Sequence, residues 1–147
     1  RSRGLIMATA EAAKPLKISA PPGTSIPLLA GAVGKVFLAQ QRREEALEIL
    51  REQGLTRFTR RSIVAPDDYL AEVEKVRRMG YAVDDEEYFE GIRCLAAAVF
   101  DVSGRPVAAL SISVPIQRLP HEKIPRYGMK IKEAAMEISR NIGYFRS

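Results

Sequence analysis

The stretch GIRCLAAAVFDVSGRPVAALSISV, residues 91–114, predicts two β-strands joined by a tight turn. Its apolar runs are rich in small and β-branched residues, and Gly104 lies between them, where a hairpin turn needs a positive φ. Three small polar side chains, those of Cys94, Ser111 and Ser113, interrupt the apolar runs. The hairpin therefore raises the question of why polar groups stand in strands that otherwise have the composition of a core.

The register of this hairpin follows from its turn. A loop of two or four residues around Ser103-Gly104 gives the same pairing, in which the numbers of opposed residues sum to 207. Because opposed and alternate residues share one face of a sheet, the three polar side chains are predicted to cluster on one face, among small alanines. That face leaves room for a small ligand, whereas the other carries aliphatic side chains. The predicted pairs are Cys94 with Ser113, Ala96 with Ser111, Ala98 with Ala109, and Phe100 with Val107.

Simple packing is the alternative on the residues alone. A free cysteine commonly acts as a small buried hydrophobe, and serines in strands commonly bond to nearby backbone groups. The clustering also depends on register, since a slip of one residue or a β-bulge would separate Cys94 from Ser113.

The whole chain has the composition of one folded domain. It has 147 residues, 46% of them hydrophobic and 28% charged, which is enough to bury a core. No apolar run approaches the roughly 18 residues of a membrane span, and the start shows no signal peptide. Cys94 is the only cysteine, which excludes an internal disulfide and fits a cytoplasmic protein. The net charge is +5, and the densest basic stretch, residues 51–61, is predicted to be a solvated helix end and loop.

Periodicity and turn residues predict the remaining elements. Strands and helices mix without a βαβ rhythm, which predicts an α+β domain with an antiparallel sheet. The predicted elements are short strands at 4–11 and 15–20, a loop at 21–27, helices at 30–41, 43–54 and 65–80, a strand start and acidic connection at 81–91, and a helix at 122–145. The predicted buried residues of these helices are Val33, Val36, Phe37 and Leu38, then Tyr69, Leu70, Val73 and Val76, and finally Tyr127, Ile131, Ala134, Ala135, Ile138 and Ile142.

Residues 79–119, preceded by GAVGKVFLA at 31–39, strongly resemble the effector-binding domain of the IclR family of bacterial transcriptional regulators. The matching features are the G-A-x-G-K helix start, the R-x-x-G-Y-A-x-D-x-E-E segment, the strand with the cysteine, and the S-x-S strand before a proline. The resemblance covers about residues 22–144, and the order and spacing of the motifs make it specific. The chain departs from the family pattern at Ala98, where proline is frequent, and at Val114, where glycine is frequent.

The resemblance implies a curved antiparallel sheet flanked by helices, similar to GAF and PAS sensors. We expect residues 1–147 to form an effector-binding domain, as a fragment of a regulator whose N-terminal winged helix-turn-helix domain lies outside this chain. The family relationship implies a homodimer or homotetramer that contacts DNA only through that N-terminal domain. It implies no membrane partner and no cofactor.

The resemblance also implies an effector site. Helix N-terminal N–H groups suit an anion, and the serine hydroxyls can donate or accept. An aspartate beside a bound carboxylate must either be protonated or accept from a ligand hydroxyl, which favours a small oxo- or hydroxy-acid and leaves an aromatic acid open. The six residues that match the family's site are Gly31, Ala32, Asp84, Cys94, Ser111 and Ser113.

Two other functions are open. Cys94, His121 and Asp84 can be drawn as a catalytic triad, but nothing in the sequence brings the histidine to the cysteine. The acids of residues 81–91 lack histidine or cysteine at ligand spacing, which favours a solvated acidic loop over a metal site. We therefore predict no catalytic residue and no metal. A ligand-free oligomerisation module of the same regulator is the second alternative.

Overall fold

The structure is a computed structural model and describes residues 2–145. Within that range no helix has both the length and the apolar character that crossing a bilayer requires. In chain order the elements are β1 (Arg3–Leu5), β2 (Ser25–Pro27), α1 (Gly31–Ala39), α2 (Arg43–Gln53), α3 (Pro66–Met79), β3 (Ala82–Asp85), β4 (Ile92–Phe100), β5 (Pro106–Pro115) and α4 (Ile124–Asn141). Two 3-10 turns, Ile116–Arg118 and His121–Lys123, connect β5 to α4.

Strands β3, β4 and β5 form an antiparallel sheet in that order, and β1 and β2 form a separate antiparallel pair. Helix α1 lies across one face of the larger sheet and contacts all three strands, with α3 and α2 packed behind it. Helix α4 covers the other face along β4 and β5. The prediction of an α+β domain with helices flanking an antiparallel sheet is confirmed.

The predicted hairpin register is confirmed along most of β4 and β5, where partner numbers sum to 207. At the turn the prediction is wrong, because Phe100 pairs with Pro106 and not with Val107. An odd number of residues, 101–105, connects this last pair, and a bulge after Val99 absorbs the change. The irregularity therefore ends before it reaches the cysteine.

The sheet separates two apolar clusters. Leu95, Ala97 and Val99 pack on the α4 side, whereas Ala96 and Ala98 pack on the side of α1 and α3. Successive side chains of a strand point to opposite faces, so this division follows from the sequence of β4. The larger aliphatic residues fill the α4 face, and the small residues lie under α1.

Helix α3 buries the residues that its sequence predicts, whereas α1 differs at two positions, one of which, Val33, is half-buried. Phe37 was predicted to be buried and is 36% exposed. The reason is helical spacing, because Ala32, Val36 and Ala39 form the buried stripe of α1 and Phe37 points away from it. The four buried residues of α3 are Tyr69, Leu70, Val73 and Val76.

The predicted strands before α1 are only partly present. Strand β1 overlaps only the first two residues of the strand predicted at 4–11, and residues 15–20 form no strand. Strand β2 lies within the stretch 21–27, which was predicted to be a loop. The backbone N–H of Ile6 donates to the carbonyl of Thr24, so the start of the chain pairs with residues beyond the prolines.

Helix α4 begins at Ile124 and buries only part of its predicted apolar face. Ile131 and Ala135 are buried against the sheet. Ile138 and Ile142 are 39% and 50% exposed, so their predicted burial is wrong. The sheet covers one side of α4, and the apolar stripe of the helix is wider than that side. Two further residues of the stripe are half-buried, Tyr127 and Ala134.

Candidate ligand-binding site

Three of the six predicted residues form a line across the sheet. Asp84 of β3 pairs with Cys94 of β4, and Cys94 pairs with Ser113 of β5. The Cys94 Sγ and Ser113 Oγ atoms are 3.1 Å apart. Paired residues share a face, and this face is the one under α1. We call these three residues the polar row.

The start of α1 lies against the Asp84 end of the polar row. Gly31 has φ +70°, and a Cβ atom there would stand 2.6 Å from Asp84 Oδ2. Only glycine gives both this conformation and this close approach. Ala32 follows and is buried, and Ala30 caps the helix without a side-chain hydrogen bond. The first N–H groups of α1 therefore have no side-chain partner beside the row, which suits an anion.

Ser111 lies two pairs further along the hairpin, opposite Ala96, and therefore on the same face as the row. Ser111 and Ser113 are both exposed, because β5 is the edge strand of the sheet. The sequence suggested polar groups inside a buried hairpin, but Cys94 in the largely buried β4 is half-buried and both serines of β5 are exposed. The row is thus buried at its aspartate end and open at its serine end.

Burial governs the protonation of the row. Asp84 is buried and accepts a hydrogen bond from the Glu87 backbone N–H, 2.7 Å from its Oδ1. Burial raises the pKa of the Asp84 carboxyl above its usual range, although that hydrogen bond opposes the change. Burial also raises the pKa of the Cys94 thiol to about 12. The thiol therefore keeps its proton at neutral pH and can act as a weak donor.

A buried ion pair lies beside the row, and the sequence analysis missed it. Lys35 of α1 has a side chain only 1% exposed, and its Nζ lies 2.5 Å from Glu87 Oε1 and 2.7 Å from the Val83 carbonyl oxygen. Burial raises the pKa of the Glu87 carboxyl. One signal was available, because Lys35 comes three residues after Ala32 and four before Ala39, on the buried stripe.

The acidic connection between β3 and β4, residues 86–91, is held in place rather than solvated. Thr59 Oγ1 donates to the Glu86 carbonyl at 2.7 Å, and Ser62 Oγ donates to the Glu87 carbonyl at 2.7 Å. Among residues 2–145, Glu86 is the one non-glycine residue with a left-handed φ, which is +62°. The prediction of a solvated acidic loop is wrong, because these hydrogen bonds direct the Glu87 side chain inward.

The structure places His121 away from Cys94. The His121 Nε2 atom is 3.0 Å from a guanidinium nitrogen of Arg93, which also pairs with Asp85. Arg93 and Cys94 are neighbours in β4, so their side chains leave opposite faces of the sheet. Within residues 2–145 no group of three or more histidine, cysteine, aspartate or glutamate side chains is placed to hold a metal ion.

A cavity of about 370 Å³ lies at the other end of α1, between α1, α3, β4 and α4. Gln40, Arg77, Lys132 and Tyr144 are among the residues that line it. None of the six predicted residues does, so the candidate site is the open row on the sheet and not this cavity.

Comparison with known proteins agrees with the fold. Residues 2–140 match the family described as bacterial transcriptional regulator IclR C-terminal. The transcriptional repressor IclR of Escherichia coli K12 is 37% identical over 131 residues, which are 89% of this chain and 48% of that protein. The chain spans about half the length of the curated relatives it matches.

Two solved structures extend the comparison. The Thermotoga maritima IclR structure has a TM-score of 0.88 at 37% identity, over 97% of this chain and 57% of that one. The inducer-binding domain of PobR from Acinetobacter, a double mutant solved with 3-hydroxybenzoic acid, has a TM-score of 0.73 at 26% identity, over 80% of this chain and 68% of that one.

The fold is that of the GAF/PAS-like sensor domains. The chain belongs to the IclR family of bacterial transcriptional regulators and corresponds to its C-terminal domain.

Proposed function

We propose that residues 1–147 form the effector-binding domain of an IclR-type regulator, which binds a small organic acid and so changes the DNA affinity of the full-length protein. The observation that carries this proposal is the polar row, with the start of α1 lying against its Asp84 end. The row leads from a buried carboxyl group to an exposed serine, and packing alone would place an aliphatic side chain at the buried end.

The chemistry of the row favours an acid that also carries an oxygen function. The free N–H groups at Gly31 and Ala32 would bind the carboxylate. The hydroxyls of Ser111 and Ser113, with the thiol of Cys94, would bind a carbonyl or hydroxyl oxygen. This points to an oxo- or hydroxy-acid, and the small alanines leave room for an aromatic acid. The PobR domain solved with 3-hydroxybenzoic acid supports the acid class.

The regulatory step requires two states that differ in effector affinity. In this proposal the domain forms a homodimer or homotetramer, and the effector favours one arrangement of it. DNA is contacted through an N-terminal winged helix-turn-helix domain outside this chain. The regulatory role in this proposal is supported by the relatives, since the IclR protein of Escherichia coli is a transcriptional repressor.

A Cys-dependent enzyme is not supported. The raised pKa of the Cys94 thiol is opposite to what a nucleophilic cysteine needs. His121, the single histidine of the sequence, lies toward the other face of the sheet with Arg93. We therefore assign Cys94 to ligand contact and not to catalysis.

Calorimetric titration of the chain with pyruvate, glycolate and 3-hydroxybenzoate tests the proposal. We expect saturable binding of at least one acid, and the double variant Ser111→Ala, Ser113→Ala to weaken it about tenfold, as two lost hydrogen bonds imply. Ser103→Ala, in the distant hairpin turn, is the matched control and should bind like the wild type. Unchanged affinity in the double variant would remove the serines from the site. Absence of binding for all acids would favour the ligand-free oligomerisation module.

A further inference from the structure

The interior beside the polar row holds two acids and one base. The acids are Asp84, at the end of β3, and Glu87, in the connection that follows, and the Glu87 backbone N–H donates to Asp84 Oδ1. Lys35 is the base, and its ammonium group contacts Glu87 Oε1 at 2.5 Å. The side chains of Lys35 and Glu87 are 1% and 14% exposed, so water screens this pair poorly. One carboxylate balances the ammonium charge, and the other carboxyl group is left without a counter-ion.

The surroundings of Asp84 identify it as the carboxyl group without a counter-ion. Four titratable groups face it, Lys35 from α1, Tyr69 from α3, Glu87 from the acidic connection and Cys94 from β4. Lys35 is the only base of the four, and its direct contact is with Glu87. Burial raises the pKa values of Tyr69 and Cys94, so neither adds a charge at neutral pH. Burial raises the pKa of the Asp84 carboxyl as well, and it outweighs the charge of Lys35, two backbone hydrogen bonds and the Cys94 thiol, which all lower that pKa.

We propose that Glu87 and Lys35 are positioning residues that set the charge of the effector site. Glu87 neutralises the buried ammonium group, and Asp84 then faces the polar row as a neutral carboxylic acid. Its Oδ2, the oxygen beside Gly31, carries the proton and donates it in a hydrogen bond to the carboxylate of the effector. The ligand contact in this inference rests on the proposed function, whereas the charge assignment does not.

This assignment explains how an acid can bind next to an aspartate. An ionised Asp84 would repel the carboxylate of the effector, and the neutral form attracts it through a charge-assisted hydrogen bond. Affinity should therefore fall as pH rises through the pKa of Asp84. Neither Glu87 nor Lys35 needs to touch the ligand for this to hold.

Carboxyl ¹³C NMR titration of the ligand-free chain tests the charge assignment directly. We expect Asp84 to keep its proton well above the usual value of about 3.9. In Glu87→Gln the ammonium group loses its partner and turns to Asp84, so the pKa of Asp84 should fall. Glu72→Gln, which breaks the exposed pair with Lys75, is the matched control and should leave Asp84 unchanged. An ordinary pKa for Asp84 in the wild-type chain would overturn the inference, and so would a Glu87→Gln variant in which it does not move.

Calorimetry with pyruvate and 3-hydroxybenzoate adds the ligand. We expect Glu87→Gln to weaken binding about tenfold at neutral pH, the effect of one charge-assisted hydrogen bond. The paired variant Lys35→Met, Glu87→Gln removes both charges, returns Asp84 to its neutral form and should recover most of that loss. Binding that is insensitive to pH and to Glu87→Gln would overturn the inference.

The outcomes separate the two proposals. If no acid binds the wild-type chain, the proposed function fails, and the carboxyl titration still decides the charge of Asp84. If Glu87→Gln does not fold, the wild-type titration and the paired variant decide it.

Discussion

Both faces of the central sheet bury apolar side chains, and they differ in the residues that the strands present to them. Toward α4, Leu95 and its alternate neighbours pack in an aliphatic cluster. Toward α1, the same strand presents Cys94 between Asp84 and Ser113, close to a buried lysine. A buried ion pair contributes little net stability compared with packed apolar side chains of similar volume. Each face holds an ion pair with a buried base, Arg93 with Asp85 on one side and Lys35 with Glu87 on the other, so ion pairs do not distinguish the faces. The polar row distinguishes the α1 face, and ligand binding is our proposed reason for it.

Removal of the buried Lys35 cation is expected to have the largest effect and tests the difference between the two faces most strongly. Lys35→Met leaves two acids buried without a base, and we expect it to lower the free energy of unfolding by about 3–5 kcal/mol. Urea unfolding at neutral pH measures this. Lys75→Met, at an exposed pair with Glu72, is the matched control and should cost about 0–1 kcal/mol.

The same variant has a predicted pH dependence. The pKa values of Asp84 and Glu87 are raised in the folded state, so both side chains bind protons more tightly in the folded state than in the unfolded state. Their contribution to stability is present at acid pH and is lost as pH rises through the folded pKa values. Lys35→Met should therefore be less destabilised near pH 5 than near pH 8, and an equal loss at both values would contradict the buried charge assignment.

The second prediction concerns the aliphatic face. Leu95→Ala creates a cavity against α4 and should cost about 2–5 kcal/mol in urea unfolding. Unlike the loss at Lys35, this loss should not depend on pH, because no titratable group is involved. Val107→Ala, at a position 54% exposed, is the control and should change stability by less than about 0.5 kcal/mol. A pH-dependent loss in Leu95→Ala would mean that the two faces are coupled.

The smallest effect is expected at the start of α1, where a substitution at Gly31 tests the contact with the polar row. Gly31→Ala imposes a left-handed φ on alanine, at a cost of about 1–3 kcal/mol, and brings its Cβ against Asp84. Gly54→Ala is the matched control, since φ is +68° there and nothing lies within 4 Å of its Cβ position. The excess loss in Gly31→Ala, from urea unfolding, reports the contact with Asp84. Equal losses would show that the carboxyl group moves aside freely.

The sequence was most informative where structure is local. The hairpin register followed from one turn and the alternation of β4 and β5, and it placed Cys94 beside Ser113 without further information. The pairing at the turn depends on the loop length, because loops of two and four residues give one register and a loop of odd length gives another. The bulge at Phe100 comes with an odd loop of five residues, which the prediction did not assume. The family resemblance added Gly31 and Asp84, whose proximity no local pattern indicates.

The buried ion pair shows what sequence reasoning leaves out. Lys35 and Glu87 are separated by 52 positions, and charged residues are normally assigned to solvent. Only the fold shows that α1 carries the lysine under the sheet and that Thr59 and Ser62 turn the glutamate toward it. The exposed Ile138 and Ile142 illustrate the reverse case, in which a periodic pattern predicts burial but the sheet is too narrow to supply it.

The left-handed backbone at Glu86 has a consequence for local stability. A residue with a side chain in this conformation stores about 1–3 kcal/mol, which neighbouring contacts must offset. Here the offsetting contacts include the salt bridge of the next residue, Glu87, to Lys35. Without that salt bridge, the unfavourable backbone conformation would no longer be offset. Residues 86–91 should then open locally and leave the sheet before the rest of the domain unfolds. The contact between Lys35 and Glu87 thus links the proposed charge of the site to the local unfolding of its border.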